Sequence, residues 1–395
     1  MTARATEAEH YTSLDLFAGA GGFTLGLEES GFRCVGAVEV DPVASATLQK
    51  NFGDRPVSLL GPEIGDVRNI STRALTNRLR RAGVSELDLL VAGPPCQGFS
   101  RVGRGKLDSI KSGPGFALDD RNNLYEQAIR VLRALRPRLF VFENVSGILH
   151  LRGRNVAEDV CDAIADAGYV ARCTLLNAAW YGVPQTRERV IIIAARKDLG
   201  AEPAFPPRRF RADLTRGHLS GAELDRRNWR DPDYFVDPRR IPTEFPAGPA
   251  VTVSEALDDL PSFTGHLAAL GNGHRYRPLR SVFAPVEYVR APRNWYCLKM
   301  RAWNDELHSA DVKDHFCRWT PRDFPTFAQM RPGDRYPEAI QIAEVRYQEA
   351  LARRRCDGER RPTRKDFVPP YPVDSFPDKW RKLIPDVPSW TVTAH

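Results

Sequence analysis

Leu87-Asp88-Leu89-Leu90-Val91-Ala92-Gly93-Pro94-Pro95-Cys96-Gln97-Gly98-Phe99-Ser100 reads as a buried strand running into a stiff turn. The first six residues form an apolar run of strand length. Pro94 and Pro95 hold the backbone extended and rule out helix, so Cys96 falls just past a strand end. In an open α/β sheet, ligands bind beyond the carboxyl ends of the strands. A cysteine held there is placed to act as a nucleophile. The competing reading is a small buried hydrophobe.

The segments on either side repeat the pattern of strand, turn and helix. Residues 13–17 read as a strand, Ala18-Gly19-Ala20-Gly21-Gly22 as a tight turn and residues 23–30 as an amphipathic helix. Glycines at such a turn let a ligand approach backbone N–H groups at a helix N-terminus, which points to an adenosine-type cofactor. A second strand, 34–40, ends in Glu39-Val40-Asp41. An acid at that position suits ribose hydroxyls, with a surface carboxylate as the alternative. A helix over 42–51 follows, and Gly65-Asp66-Val67 is expected at the end of a third strand. Asp66 is placed there for an adenine amino group, unless it is an ordinary turn residue.

Beyond Cys96, residues 101–118 combine four glycines with Arg101, Arg104, Lys106 and Lys111, the composition of a lid that closes over phosphate or of a surface loop. A helix from Asp120 to about Arg136 stops at Pro137. The strand 139–142 then delivers Glu143-Asn144-Val145 to the same edge as Cys96, where Glu143 can share or donate a proton or serve as a hydrogen-bonded structural residue. A helix over 153–168 and a strand over 169–177 precede Gln185-Thr186-Arg187-Glu188-Arg189, which leads into the strand 190–196. Alternation along Gln185, Arg187 and Arg189 places three polar side chains on one face of an extended segment, for a polar ligand or for salt bridges.

Composition narrows the class. The 395 residues are 27% charged and 42% hydrophobic, with no apolar run long enough to span a bilayer and no export signal. The seven cysteines are dispersed, without a Cys-x-x-Cys pair, which argues against a disulfide framework or a metal ribbon and fits a reducing cytoplasm. The net charge of +7 is compatible with a polyanionic partner. Its weight lies in the second half: residues 1–200 hold 25 Lys+Arg against 23 Asp+Glu, leaving 32 against 27 for residues 201–395. Within 275–301, Arg275, Arg277, Arg280, Arg290, Arg293, Lys299 and Arg301 are interleaved with Tyr276, Phe283, Tyr288, Trp295 and Tyr296. That mixture suits phosphate and base contacts, or a solvated surface with a few packed aromatics. Residues 201–261 hold nine of the 31 prolines and should contain little regular structure apart from a short helix over 251–260, whereas 337–355 has a helical pattern.

Read together, these segments resemble the DNA (cytosine-5)-methyltransferases, especially the bacterial modification enzymes. The resemblance is carried, in order, by Phe17-Ala18-Gly19-Ala20-Gly21-Gly22, Glu39, Asp66, Gly93 to Ser100, Asp120-Arg121, Glu143-Asn144-Val145 and Gln185-Thr186-Arg187-Glu188-Arg189. It implies an α/β fold, a doubly wound mostly parallel sheet of the class I S-adenosylmethionine-dependent methyltransferase type, with a second, smaller target-recognition domain. The expected division is a catalytic domain over 1–200, a Pro-rich connector over 201–262 and a target-recognition region over 263–395. S-adenosyl-L-methionine is the implied cofactor, held by Phe17, Gly19, Gly21, Gly22, Glu39, Val40, Asp66, Val67 and Pro94. Val40 stands where the family often has an aromatic residue. Cys96, Glu143, Asn144, Arg187, Arg189 and Gln185 are the implied catalytic set, and no metal is implied. Double-stranded DNA is the implied partner, contacted by Arg101, Arg104, Lys106, Arg275, Arg277, Arg280, Arg290 and Arg293.

The resemblance also implies a cytoplasmic enzyme with a cognate restriction endonuclease in the same system, not a physical partner, and no membrane association. An RNA cytosine-5 methyltransferase and a catalytically silent DNA-binding subunit are the rival readings. The family's returning C-terminal helix and Gly-Asn-(Ser/Ala)-Val turn have no counterpart after Pro388-Ser389-Trp390-Thr391-Val392. The expectation is therefore a fragment, or a chain completed by a second polypeptide, with weak cofactor binding and slow or no methyl transfer on its own.

Overall fold

The computed structural model describes residues 11–53, 65–95, 124–150, 153–212, 229–262, 286–302, 311–312, 322–353, 360–373 and 380–392. By packing, they divide into two compact units. The first comprises the described residues of Met1–Asn177, Glu188–Arg208 and Asp213–Pro246, and the second those of Ala178–Arg187, Arg209–Ala212 and Ala247–His395. The expected connector, 201–262, is shared between them, and the short segment Ala178–Arg187 lies with the second unit.

In chain order the first part of the fold is β1 (Tyr11–Leu16), α1 (Gly22–Glu29), β2 (Phe32–Val38), α2 (Pro42–Phe52), α3 (Thr72–Arg81), β3 (Leu89–Ala92), α4 (Leu124–Leu135), β4 (Leu139–Val145), α5 (Val156–Asp166) and β5 (Tyr169–Asn177). The chain continues through β6 (Gln185–Thr186) and β7 (Glu188–Arg196). Six of these strands form one sheet in the order β2-β1-β3-β4-β7-β5. The pairs β2–β1, β1–β3 and β3–β4 are parallel, and β7 runs antiparallel to both β4 and β5. Five strands thus share a direction and only β7 is reversed, the α/β mostly parallel sheet expected from sequence.

The core explains why these residues take these forms. Leu89, Leu90, Val91 and Ala92 are all buried, as a parallel strand covered on both faces requires. Phe140 and Phe142 of β4 and Val190, Ile192 and Ala194 of β7 are fully buried on the same sheet. α2 starts with Pro42 at its first turn, and Asp41 accepts from the N–H of Val43 at 2.9 Å and of Ala44 at 2.8 Å. α4 ends at a left-handed Arg136 followed by Pro137, whose carbonyl accepts from the buried Tyr169 hydroxyl at 2.7 Å.

One sequence expectation is corrected here. Residues 65–67 do not end a strand: Asp66 caps a short 3-10 turn, Val67–Asn69, and the third strand of the sheet in chain order is β3. The physical reason is local hydrogen bonding, since an aspartate that accepts from the N–H two residues on (Arg68, 2.9 Å) competes with sheet pairing.

The second unit contains β6 paired in parallel with β8 (Ser389–Trp390), and a set of helices of which Trp295–Ala302 and Tyr336–Ala352 matter most. The second of these matches the helical pattern read at 337–355. Among the described residues, no helix is long and apolar enough to cross a membrane. The described cysteines Cys34, Cys161, Cys173 and Cys297 are buried free thiols.

Candidate active site

Register builds the site. Leu16 pairs with Val38 on one side and with Ala92 on the other, and Ala92 pairs with Phe142. The residues that follow these four are Glu39, Phe17, Gly93 and Glu143, so all four leave the sheet in one row along the carboxyl edge. Adjacent strands in such a row are about 4.8 Å apart. Positions scattered over more than a hundred residues of sequence therefore become neighbours.

At the end of β1, Phe17 adopts a positive φ of 61°, a conformation that costs a non-glycine residue about 1 kcal/mol or more. The turn continues through Gly19 and Gly21, both left-handed, and into α1, whose N-terminus carries no side-chain cap. Glu39 secures the turn from the next strand: one carboxylate oxygen accepts from the Gly19 N–H at 2.7 Å and the other from the Asp41 N–H at 2.7 Å. Each oxygen keeps a second lone pair. Gly65 brings the following acid close, because a Cβ there would sit 2.7 Å from the Glu39 carbonyl oxygen. The Asp66 carboxylate is gripped by Arg68 at 2.6 Å and held below the usual carboxylate range, chiefly by that hydrogen bond. Val40 is exposed and Val67 is buried.

Sequence reading passed over Asp15, although a carboxylate between Leu14 and Leu16 in an apolar strand is a visible signal. It is wholly buried directly beneath the turn and accepts from the Thr24 hydroxyl of α1 at 2.9 Å. Its other oxygen has no hydrogen-bond partner among the described residues. Desolvation is the main cause that pushes its carboxyl up to about 7, against the opposing Thr24 hydrogen bonds and with a small addition from Glu39.

At the other end of the row, Glu143 forms an ion pair with Arg189 at 2.6 Å. The sheet register explains the contact: Arg189 of β7 faces Val145, two residues beyond Glu143 on the same face of β4, so the two side chains are diagonal neighbours. The second Glu143 carboxylate oxygen lies 3.5 Å from where a Cβ on Gly93 would be. Asn144 is buried and donates to the Pro94 carbonyl at 3.4 Å, while its side-chain oxygen accepts from the Val145 N–H at 2.9 Å. The Pro-Pro turn is thereby tied to β4.

Between Gln185 and Arg187 the run expected to be extended through Gln185, Arg187 and Arg189 is interrupted by a tight turn, in which the Arg187 N–H donates to the Gln185 carbonyl at 2.9 Å. By packing, Gln185 and Arg187 belong to the second unit and Arg189 to the first. The Ala178 N–H donates to the Arg187 carbonyl at 2.9 Å, which extends the β5–β7 ladder by one pair beyond Asn177 and Glu188. In the second unit Arg290 and Arg293 are exposed, and Arg290 pairs with Asp258 at 3.2 Å. Arg301, one of the basic residues of the basic–aromatic stretch, is buried instead. It pairs with Asp259 at 2.8 Å, donates to the Arg290 carbonyl at 2.7 Å and lies 3.5 Å over the Tyr288 ring. Cys96, Arg101, Arg104, Lys106, Arg275, Arg277 and Arg280, with the expected lid at 101–118, lie outside the described residues.

The donor set at the glycine turn suits S-adenosylmethionine. Uncapped N–H groups at the start of α1 match a carboxylate, and Glu39 with spare lone pairs matches a diol.

Comparison with known proteins identifies the family. A family model described as C-5 cytosine-specific DNA methylase matches residues 11–231. The Oceanobacillus iheyensis protein named type II methyltransferase M.OihORF3336P is 32% identical over 401 residues, covering 100% of this chain and 84% of that protein. The type II methyltransferase M.AgeI of Thalassovita gelatinovora is 30% identical over 97% of this chain and 84% of its own length. M.XorII of Xanthomonas oryzae is 40% identical over a shorter stretch, 49% of this chain and 42% of that protein. The chain belongs to the C-5 cytosine-specific DNA methylase family and is a DNA (cytosine-5) methyltransferase.

Proposed function

We propose that this enzyme methylates C5 of a cytosine flipped out of a specific duplex sequence, as the modification enzyme of a restriction–modification system acting in the bacterial cytoplasm. The observation that carries the reading is the single register row that sets Phe17, Glu39, Gly93 and Glu143 along one sheet edge. The names of the relatives as type II methyltransferases support the restriction–modification context.

When bound, S-adenosylmethionine supplies an electrophilic methyl group on its sulfonium. Glu39 takes the ribose hydroxyls, and Asp66, both of whose carboxylate oxygens accept from Arg68 in this structure, takes the adenine amino group in exchange for part of that contact. Phe17, Gly19, Gly21, Gly22, Val40, Val67 and Pro94 complete the wall. Cytosine C5 is a weak nucleophile, so the ring must first receive electrons. The Cys96 thiolate adds to C6 while Glu143, in its protonated form at this step, supplies a proton or hydrogen bond at N3, which makes C5 enamine-like. Arg189 orients the Glu143 carboxyl, and Asn144 holds the Pro-Pro turn that presents Cys96. Arg187 and Gln185 bind polar atoms of the base, with O2 the target of Arg187. Once C5 carries the methyl group, loss of its proton and elimination of the Cys96 thiolate release 5-methylcytosine. A stacked base is out of reach, so flipping is required. Arg101, Arg104 and Lys106 close on the phosphates, and the second unit, with Arg275, Arg277, Arg280, Arg290 and Arg293, reads the site.

The test uses Cys96→Ser and duplex DNA with 5-fluorocytosine at the target. The wild type is expected to form a covalent adduct, because fluorine at C5 cannot leave as a proton, and the serine variant to bind DNA without one. An adduct formed equally by both proteins would overturn the assignment.

A further inference from the structure

The loop between β5 and β7 belongs to the second unit and is closed by hydrogen bonds. Its neck is closed by the bond from the Ala178 N–H to the Arg187 carbonyl, and inside it Gln185 N–H donates to Val183 at 2.7 Å and Arg187 N–H to Gln185 at 2.9 Å. One side is fastened to β8: the Ser389 N–H donates to the Pro184 carbonyl at 2.9 Å, and the Thr186 and Thr391 hydroxyls donate to the Ser389 and Thr186 carbonyls at 3.1 Å each. The other side rests on two stacked rings, Phe210 and Trp295, 5.5 Å apart and 15° from parallel. Contact is made at Gly182, where φ is +88° and an added Cβ would fall 2.9 Å from both rings. Only glycine meets both conditions.

Trp295 is itself fixed by the stretch that carries the exposed arginines. It begins the helix Trp295–Ala302, whose Cys297 N–H is capped by the Asn294 side chain at 2.9 Å, and Asn294 in turn donates to the Glu255 carbonyl at 2.9 Å. Arg290 and Arg293 lie just before it. That stretch is thereby linked to Gly182 through the Phe210–Trp295 stack, and the hydrogen bonds of the loop link Gly182 onward to Gln185 and Arg187.

We propose that Trp295 and Gly182 are positioning residues that couple sequence recognition to methyl transfer. The recognition stretch sets the pose of Arg187 through the Phe210–Trp295 stack. The proposal rests on the roles given above to Arg187 and to the basic–aromatic stretch.

The experiment compares Trp295→Ala, Trp295→Phe, Gly182→Ala and Arg187→Ala in the full chain, on a duplex whose site is mapped by bisulfite sequencing of DNA from expressing cells. Single-turnover methyl transfer at saturating DNA and equilibrium DNA binding are both measured. Trp295→Ala and Gly182→Ala are expected to lower the rate by roughly tenfold to a hundredfold with DNA affinity within about threefold, and Trp295→Phe to recover most of the rate. Hydrogen exchange gives a readout without turnover: duplex DNA should slow exchange across 178–187 in the wild type and not in Trp295→Ala. An unchanged rate and unchanged exchange response in Trp295→Ala overturn the proposal. A parallel loss of binding and rate also overturns it, because Trp295 would then be a DNA contact. An Arg187→Ala variant with a normal rate would instead refute the role given to Arg187.

Discussion

The buried carboxyl beneath the cofactor turn makes a quantitative prediction. Asp15→Asn keeps an oxygen to accept from Thr24 and removes the charge. In the wild type the carboxyl titrates near 7 in the folded state and near 3.8 when unfolded. The folded-state value is raised, so the stability it contributes is fully present below about pH 4 and is lost as pH rises through 7. At 1.36 kcal/mol per unit, the whole effect is of order 4 kcal/mol, and the part between pH 5 and 8 is roughly 2–3 kcal/mol. The asparagine variant lacks this titration. Its stability relative to wild type should therefore rise by roughly 2–3 kcal/mol from pH 5 to pH 8. Because the protein has two units, a local measurement is required: hydrogen exchange of the amides of β1 and β3, corrected for intrinsic rates, reports opening of the sheet itself. A stability difference that is flat within about 0.5 kcal/mol over that range would refute the reasoning, and would mean that Asp15 keeps one protonation state throughout.

Gly21→Ala places a Cβ 2.7 Å from both Leu48 and Phe52 at a φ of +96°, so it should lower stability by about 1–3 kcal/mol and weaken cofactor binding in calorimetric titration. Arg189→Ala removes the guanidinium beside Glu143 and should slow single-turnover methyl transfer at least tenfold, with cofactor affinity unchanged by the same titration. Exchange of residues 263–385 for the matching region of a relative should change the sequence methylated, read by bisulfite sequencing, and leave cofactor affinity nearly constant. Arg293→Ala, an exposed cation, should reduce the salt dependence of DNA binding by about one unit of slope, whereas Asp259→Asn should act through folding because its partner Arg301 is buried.

Much of the first unit was legible because its signals are local. Apolar runs such as Leu89 to Ala92 become parallel strands whatever lies far away, and Asp41-Pro42 starts a helix by its own geometry. The reading failed where a residue's partner is distant or its local chemistry wins. Asp66 was assigned to a strand end because the spacing fitted, yet its side chain takes the backbone two residues on and makes a turn. Arg301 counted as one more exposed cation, and only the packing of Asp259 and Tyr288 around it made it internal. The Gln-x-Arg-x-Arg segment looked like one continuous strand. A tight turn from Gln185 to Arg187 and the pairing of Gln185–Thr186 with β8, some two hundred residues on, interrupt it. The sequence alone therefore determined which residue types stand at strand ends, since hydrophobic period and turn chemistry are short-range. Tertiary structure decided which of those ends are neighbours and which charges face each other. Register, burial and ion pairing depend on chain segments that meet only when the sheet has formed.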